Sequence, residues 1–148
     1  MKVYFDMDGT IADLYGVDDW LSYLQEENPY PYMVAKTCCN MSLLARRIHE
    51  LQKIGVKVGV ISWLSKTSSI QYDTLVTEAK KDWLKKHLPS VTWDEIHIVS
   101  YGYAKVNYKN NSDILFDDEE RNRNTWGDGS YNEKEIFKIL KEIIDTNK

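Results

Sequence analysis

The sequence predicts a three-layer α/β fold, in which a parallel sheet carries helices on both faces. Short apolar, β-favouring runs predict four strands, at residues 3–5, 57–62, 95–100 and 113–117. Segments with helix-like spacing of apolar residues separate these strands. The second run shows little polar alternation, which is typical of a strand covered on both faces. Strands that alternate with helices in this way indicate a parallel sheet.

Length and composition indicate one domain with a hydrophobic core. The chain has 148 residues, of which 43% are hydrophobic. Nineteen basic residues stand against 23 acidic ones, and a net charge of −4 argues against bulk electrostatic binding of nucleic acid. This net charge does not exclude a small anionic substrate, which needs only a local positive site. Because no apolar run approaches about 18 residues and no signal-peptide pattern is present, we expect a cytoplasmic protein with no membrane partner.

The first part of the chain contains the least regular segment. Leu14, Val17, Leu21 and Leu24 predict a helix within residues 12–25. Two prolines predict a loop at residues 28–32. Cys38 and Cys39 are neighbours in sequence, which predicts ordinary thiols rather than a disulfide or a zinc site. We therefore expect a single domain over residues 1–148, with a small cap insert around residues 14–40.

Three more helices are predicted in the rest of the chain. Ser42 is a candidate N-cap for the first of them, and Gly55 is a candidate stop. The second is predicted at residues 74–88 and the third at residues 132–145. In the second helix four side chains are expected to face inward: Leu75, Ala79, Trp83 and Leu84.

Two carboxylates directly follow the first strand. In extended geometry residues i and i+2 point the same way, so Asp6 and Asp8 can converge on one spot. Gly9 lets the backbone turn towards a ligand. A solvated acidic turn explains the same pattern equally well. An EF-hand loop does not, because its twelfth position, counted from Asp6, is Val17 rather than Glu.

Polar side chains also follow the later strands. In a parallel sheet the carboxyl ends of the strands lie along one edge, where open α/β sheets bind ligands. Each of these side chains also has an ordinary structural explanation. Ser62 could be a capping serine, and Lys105 could be a solvated lysine, with Lys109 as its rival for the site. Asp117 and Asp118 could be acids at a helix N-terminus. The residues that would meet are Asp6, Asp8, Ser62, Lys105, Asp117 and Asp118.

This set of residues fits phosphate chemistry. Carboxylates at about 4 Å repel by roughly 4 kcal/mol at an effective dielectric of about 20, and a divalent cation removes that cost. All-oxygen ligands suit Mg²⁺. Lys105 would offset charge on a phosphoryl group and Ser62 would donate to a phosphate oxygen. One carboxylate could act as nucleophile and another as proton donor.

The motifs resemble those of the haloacid dehalogenase (HAD) superfamily of phosphotransferases, whose fold is Rossmann-like. Residues 6–10, with sequence DMDGT, match its first motif, and the strand that ends at Asp117 and Asp118 matches its fourth. Ser62 and Lys105 resemble the second and third motifs. The resemblance spans nearly the whole chain.

The resemblance implies a role for each motif residue. Asp6 would be the nucleophile and Asp8 the general acid and base, with an aspartyl-phosphate intermediate. The phosphate-binding candidates are Ser62, Lys105, Gly9 and Thr10. The candidate Mg²⁺ ligands are Asp6, Asp8, Asp117 and Asp118.

Within the superfamily the chain looks most like the 5'(3')-deoxyribonucleotidase branch and related phage proteins. That branch carries a helical cap, for which only about thirty residues are available here. Tyr15, Trp20 and Trp63 are candidates for the substrate pocket, because aromatic rings can stack on a base. The same aromatic residues could simply fill a small packed subdomain.

These observations predict a Mg²⁺-dependent phosphomonoesterase that acts on a small phosphorylated substrate, with a nucleotide as the leading candidate. A generic small-molecule phosphatase, a nucleic-acid 3'-phosphatase and a non-catalytic phosphate-binding protein remain alternatives. A phosphoacceptor switch is disfavoured, because its chain order differs: here the second strand ends in Ser62 and acids recur after Lys105.

Overall fold

A computed structural model describes residues 1–147 and shows an α/β fold around a parallel sheet. The strands are β1 (Lys2–Phe5), β2 (Ala12–Asp13), β3 (Lys36–Thr37), β4 (Lys57–Trp63), β5 (Glu95–Val99), β6 (Ile114–Phe116) and β7 (Ser130–Tyr131). The helices are α1 (Trp20–Gln25), α2 (Tyr30–Val34), α3 (Met41–Lys53), α4 (Ile70–His87), α5 (Glu120–Trp126) and α6 (Ile136–Thr146). Short 3₁₀ turns lie at Leu14–Gly16, Lys105–Tyr108 and Glu133–Glu135.

The central sheet has five strands in the order β5-β4-β1-β6-β7, and every neighbouring pair is parallel. The short strands β2 and β3 form a separate antiparallel pair. All four predicted strands are present, and the predicted α/β fold with a parallel sheet is confirmed.

Side chains of β1 alternate between two hydrophobic cores. Val3 and Phe5 face the larger core, which α3, α4 and α6 cover with apolar side chains. Tyr4 faces a smaller core with Leu115 and Trp126, which belongs to α5. Because β1 is buried on both faces, the residues that follow it emerge from the centre of the molecule.

Two predictions for the insert are wrong. Residues 12–25 do not form one helix: β2 and a 3₁₀ turn precede the six-residue α1. Asp13 caps the 3₁₀ turn by accepting the N–H of Gly16, which gives this backbone an alternative to an α-helix. The predicted loop at residues 28–32 contains the start of α2, because Pro29 and Pro31 stand at the N-terminus, where proline is tolerated.

Two details of the later helices also differ from prediction. Asn40 caps α3 instead of Ser42, and its side chain accepts the N–H of Leu43 at 3.0 Å. Leu75 was predicted to face inward in α4 but is 46% exposed. The buried stripe of α4 passes through Val76, the charged Lys80 and Leu84. Leu75 lies to one side of this stripe and is therefore exposed.

The structure also shows the state of the two cysteines, the character of the helices and the packing of the insert. Cys38 and Cys39 are free thiols. Among residues 1–147, no helix has the length and the apolar character needed to cross a membrane. The segment between β2 and β3 packs Leu14 and Tyr32 against Tyr72 and Val76 of α4.

Candidate active site

A tight turn after β1 aims the first acidic motif at the edge of the sheet. The carbonyl of Met7 accepts the N–H groups of Thr10, Ile11 and Ala12 at 2.9–3.0 Å. Gly9 adopts φ +83°, and a Cβ there would lie 2.3 Å from Asp118 Oδ2. The positive φ therefore favours glycine at this position, and a larger residue would also displace the Asp118 carboxylate.

Strand register places Asp6 beside Asp117. Phe5 of β1 is in register with Phe116 of β6, so the next residue of each strand stands at the same edge. The Lys105 ammonium bridges the two carboxylates, at 2.8 Å from Asp6 Oδ1 and 2.7 Å from Asp117 Oδ2. All three side chains are nearly inaccessible.

Thr10 connects this group to the second acid of the late motif. Its hydroxyl lies 2.9 Å from Asp6 Oδ2 and 3.1 Å from Asp118 Oδ1. The same oxygen accepts the Asp118 backbone N–H at 3.1 Å. Its hydroxyl is therefore engaged by carboxylates and backbone, and it holds the two acidic motifs together.

Three carboxylates in this cluster could hold a metal ion. One oxygen each from Asp6, Asp117 and Asp118 lie within 4.8 Å of one another. Burial, followed by the charge of Asp6, raises the pKa of Asp117 to about 6 and that of Asp118 to about 8. The folded chain thus holds these acids in surroundings that disfavour their charged forms.

Asp8 lies outside that group and pairs with a second buried lysine. Lys80 donates to Asp8 Oδ2 at 2.7 Å, to Ser62 Oγ at 2.6 Å and to the carbonyl of Trp63 at 2.9 Å. Burial raises the pKa of Asp8, although the charge of Lys80 opposes the shift. Ser62 at the end of β4 is fully buried.

The charges of the site fit a divalent cation. Four carboxylates, those of Asp6, Asp8, Asp117 and Asp118, face the two ammonium groups of Lys80 and Lys105. With all four carboxylates ionised, this leaves two negative charges, which one Mg²⁺ would neutralise. The donors are all oxygen, the type that Mg²⁺ prefers.

The residues after β6 keep the late acidic pair in place. Asn122 of α5 donates to Asp117 Oδ2 at 3.1 Å, and the N–H of Glu119 donates to Asp117 Oδ1 at 2.9 Å. Arg123 donates to the carbonyls of both Asp117 and Asp118. Besides packing Trp126 in the smaller core, the helix α5 therefore helps to orient these two acids.

A cavity of about 330 Å³ opens onto the carboxylates. Asp6, Asp8 and Asp117 line one part of it. The rest is mainly aromatic and aliphatic, contributed by the insert and by the loops after β4 and β5: Leu14, Tyr15, Trp20, Leu21, Leu24, Tyr32, Trp63, Leu64 and Tyr101. The three aromatic residues singled out from the sequence are all among them.

Aromatic pairs stand on two sides of this cavity. Tyr15 and Trp20 meet edge to face with ring centroids 4.9 Å apart. Trp63 and Tyr101 lie 5.0 Å apart, and the guanidinium of Arg121 sits 4.7 Å from the centre of the Trp63 ring. The cavity thus combines flat apolar walls with a cation near its rim.

Sequence reasoning missed three of these residues and left one choice open. Lys80, Asn122 and Arg123 contact the acidic motifs but were not predicted to do so. A signal for Lys80 was present in the sequence, because it stands four residues after Val76 and four before Leu84 in an otherwise apolar stripe. Lys109, the rival of Lys105, donates to the carbonyls of Trp126 and Asp128 instead.

Comparisons with known proteins give a likeness of fold. No protein-family model matches the sequence, and no curated protein matches it. The structure is similar to the crystal structure of D,D-heptose 1,7-bisphosphate phosphatase from Burkholderia thailandensis, with a TM-score of 0.55, 13% sequence identity and 97% of each chain covered. The chain therefore shares the fold of that structure, in which a central parallel sheet of five strands is flanked by helices.

Proposed function

We propose that the protein is a Mg²⁺-dependent phosphomonoester hydrolase that acts through an aspartyl-phosphate on Asp6. One observation carries the proposal: Asp6 stands at the inner wall of the cavity, with Lys105 and Asp117 on one side and the Asp8–Lys80–Ser62 group nearby. This arrangement combines a nucleophile, a second carboxylate and donors for phosphate oxygens. The phosphatase with a similar fold is consistent with it.

The chemistry divides into two displacements. In the first, a carboxylate oxygen of Asp6 bonds to phosphorus, the ester P–O bond breaks, and Asp8 gives its proton to the leaving oxygen. In the second, Asp8 takes a proton from water, the water oxygen bonds to phosphorus, and the Asp6–phosphorus bond breaks to release inorganic phosphate.

Lys105 and Ser62 are the phosphate-binding side chains in this proposal. An ammonium group has three donors, and the structure uses two of those on Lys105 for Asp6 and Asp117. The third remains for a phosphoryl oxygen. Bound Mg²⁺, held by Asp6, Asp117 and Asp118, would supply further stabilisation of the phosphoryl charge.

We further propose that the segment around residues 14–40 acts as a reduced cap and that the substrate is a nucleotide. Tyr15 and Trp20 lie in this segment and face the cavity, where a flat base would find apolar walls. A volume of about 330 Å³ falls in the range of small-molecule sites, about 300–1,000 Å³.

The test is phosphate release from a substrate panel in the presence of Mg²⁺. The panel contains deoxynucleoside and nucleoside monophosphates, sugar phosphates including a heptose 1,7-bisphosphate, and a 3'-phosphorylated oligonucleotide. Selective hydrolysis of nucleoside monophosphates is expected. A preference for the oligonucleotide or for sugar phosphates would reject the nucleotide assignment, while a flat, weak profile would indicate a generic phosphatase.

Substitution of the nucleophile tests the mechanism. Asp6→Asn should lower kcat at least about 10³-fold, because the amide is a poor nucleophile. Asp18→Asn, at an exposed acid of the insert, is the control and should keep kcat within about twofold. The mechanism is wrong if purified Asp6→Asn protein turns over at a rate close to that of the wild type.

A further inference from the structure

Lys80 is a buried lysine of α4 that has no role in the two displacements proposed above. Its side chain is 1% exposed. It makes three hydrogen bonds, to Asp8 Oδ2, Ser62 Oγ and the Trp63 carbonyl, so each of its three N–H donors has an acceptor.

These bonds restrict the direction of the Ser62 hydroxyl. An ammonium can only donate, so Ser62 Oγ must accept from Lys80, and its own proton must point elsewhere. Within residues 1–147 Lys80 is the sole hydrogen-bonding partner of that oxygen. The Ser62 proton is thus left available for an acceptor, and a phosphate oxygen beside Asp6 is the acceptor that the proposed reaction supplies.

The same lysine also sets the position of Asp8. It holds Oδ2, while the other oxygen of Asp8 has no hydrogen bond among the described residues. Asp8 is accordingly separate from the three carboxylates that lie within 4.8 Å of one another. One oxygen of Asp8 is therefore anchored, and the other is free to exchange a proton with the leaving group.

We propose that Lys80 is a positioning residue for phosphate transfer, which orients the Ser62 hydroxyl towards the phosphate and anchors Asp8 beside it. The inference rests on the proposed function. Lys80 itself has no donor left for the substrate, so its influence on the phosphate passes through Ser62 and Asp8.

A purely structural role is the competing explanation. Lys80 lies 5.0 Å from the centre of the Tyr32 ring and binds the Trp63 carbonyl, so it also ties the insert and the end of β4 together. Loss of activity in a Lys80 variant would fit either role. Coupling between Lys80 and Ser62 separates them, because general loosening would not depend on the Ser62 hydroxyl.

The test is a double-mutant cycle on the affinity for inorganic phosphate with Mg²⁺ present, measured by calorimetry. The proteins are wild type, Lys80→Met, Ser62→Ala and the double variant. In the wild-type background Ser62→Ala should weaken phosphate binding about tenfold, the value of one hydrogen bond to a charged group. In the Lys80→Met background the same change should cost less than about twofold.

Two further variants keep the result interpretable. Lys81→Met, at the exposed neighbouring lysine of α4, should leave both the phosphate affinity and the Ser62→Ala effect unchanged. Lys80→Gln replaces Lys80→Met if the apolar variant does not fold. Its amide can accept as well as donate and so no longer dictates the direction of the Ser62 proton, and the same loss of coupling is expected.

The outcomes separate this inference from the proposed function. If Ser62→Ala costs the same in both backgrounds, Lys80 does not orient Ser62 and the inference fails, even where the wild type hydrolyses esters. If the wild type hydrolyses none of the panel but binds phosphate with the coupling intact, the inference stands and the hydrolase assignment fails. A wild type that binds no phosphate overturns both.

Discussion

The two buried lysines of the site are not equivalent. Burial alone would lower the pKa of Lys105, but the charges of Asp6 and Asp117 outweigh it and raise the pKa above its usual value. Lys105 therefore stays an ammonium at neutral pH, and it offsets part of the negative charge of Asp6 and Asp117. Removing one partner from such a group leaves a buried charge without compensation.

We predict that Lys105→Met lowers the free energy of unfolding by about 3–5 kcal/mol and lowers kcat/KM at least about 100-fold, the value of about 2.7 kcal/mol of lost phosphate and carboxylate contacts. Lys109→Met should cost about 1 kcal/mol, because it removes hydrogen bonds to two carbonyls and a cation–π contact with the Trp126 ring. It should leave kcat/KM within about twofold. Urea unfolding and phosphate release measure both. A larger kinetic defect in Lys109→Met would exchange the roles of the two lysines.

At the scale of single residues, the sequence predicted the site residues that belong to recognisable motifs. Asp6, Asp8, Asp117 and Asp118 follow apolar strands directly, so parallel topology alone was enough to expect them at one edge. Lys80 could not be found in that way. It stands eighteen residues beyond Ser62, on a helix face that an apolar pattern assigns to the core, and only the packing of α4 brings it to the site.

At the scale of the element, long periodic segments were predictable and short ones were not. The strand β7 has two residues, and α5 buries only Asn122 and Trp126, so neither shows a hydrophobic period. The two prolines predict a loop at residues 28–32, but they stand at the N-terminus of α2, where proline is tolerated. Tertiary contacts decide such elements, and these contacts are not visible in local sequence.

One carboxylate connects two strands of the sheet across a third. Glu95 of β5 accepts from Tyr4 of β1 at 2.8 Å, across the intervening strand β4. Gly59 of β4 makes this possible, since a Cβ there would lie 3.0 Å from the Tyr4 ring and 2.9 Å from the Glu95 carbonyl. Lys2 and His97 also contact Glu95, at 2.9 and 2.7 Å.

This network predicts a specific acid sensitivity. Partial burial alone would raise the pKa of Glu95, but the hydrogen bonds from His97, Lys2 and Tyr4 outweigh it and lower the pKa from 4.5 to about 2. A depressed folded-state pKa stabilises the protein above the unfolded-state value, and the contribution is lost as pH falls from about 4.5 towards 2. Because the group is partly exposed, we expect about 1 kcal/mol.

Glu95→Gln should therefore lower the free energy of unfolding by about 1 kcal/mol at pH 7, with the difference from the wild type shrinking between pH 4.5 and pH 2. Urea unfolding at several pH values measures it. Glu142→Gln, at an exposed position of α6, should show no such convergence. A difference that stays constant down to pH 2 would mean that Glu95 acts through packing rather than through its charge.

At the scale of the whole molecule, folding gathers acids that are far apart in the chain. Asp6 and Asp117 are separated by more than a hundred residues, and the parallel register of β1 and β6 places them side by side. Two lysines balance half of the charge that the four carboxylates carry when all are ionised. The remaining repulsion opposes the folded state, so a cation that binds only the folded protein should stabilise it.

We accordingly predict that Mg²⁺ raises the melting temperature. A ligand at 100 times its Kd adds about 2.7 kcal/mol of stability, which corresponds to a rise of roughly 5–10 °C for a domain of this size. Thermal unfolding with MgCl₂, compared with NaCl at equal ionic strength, measures it. Asp118→Asn should remove most of the Mg²⁺-dependent rise, because it takes one ligand from the cluster of three. Asp82→Asn, at an exposed acid of α4, should keep it. An equal rise in all three proteins would show that magnesium acts on the general surface charge and not at this cluster.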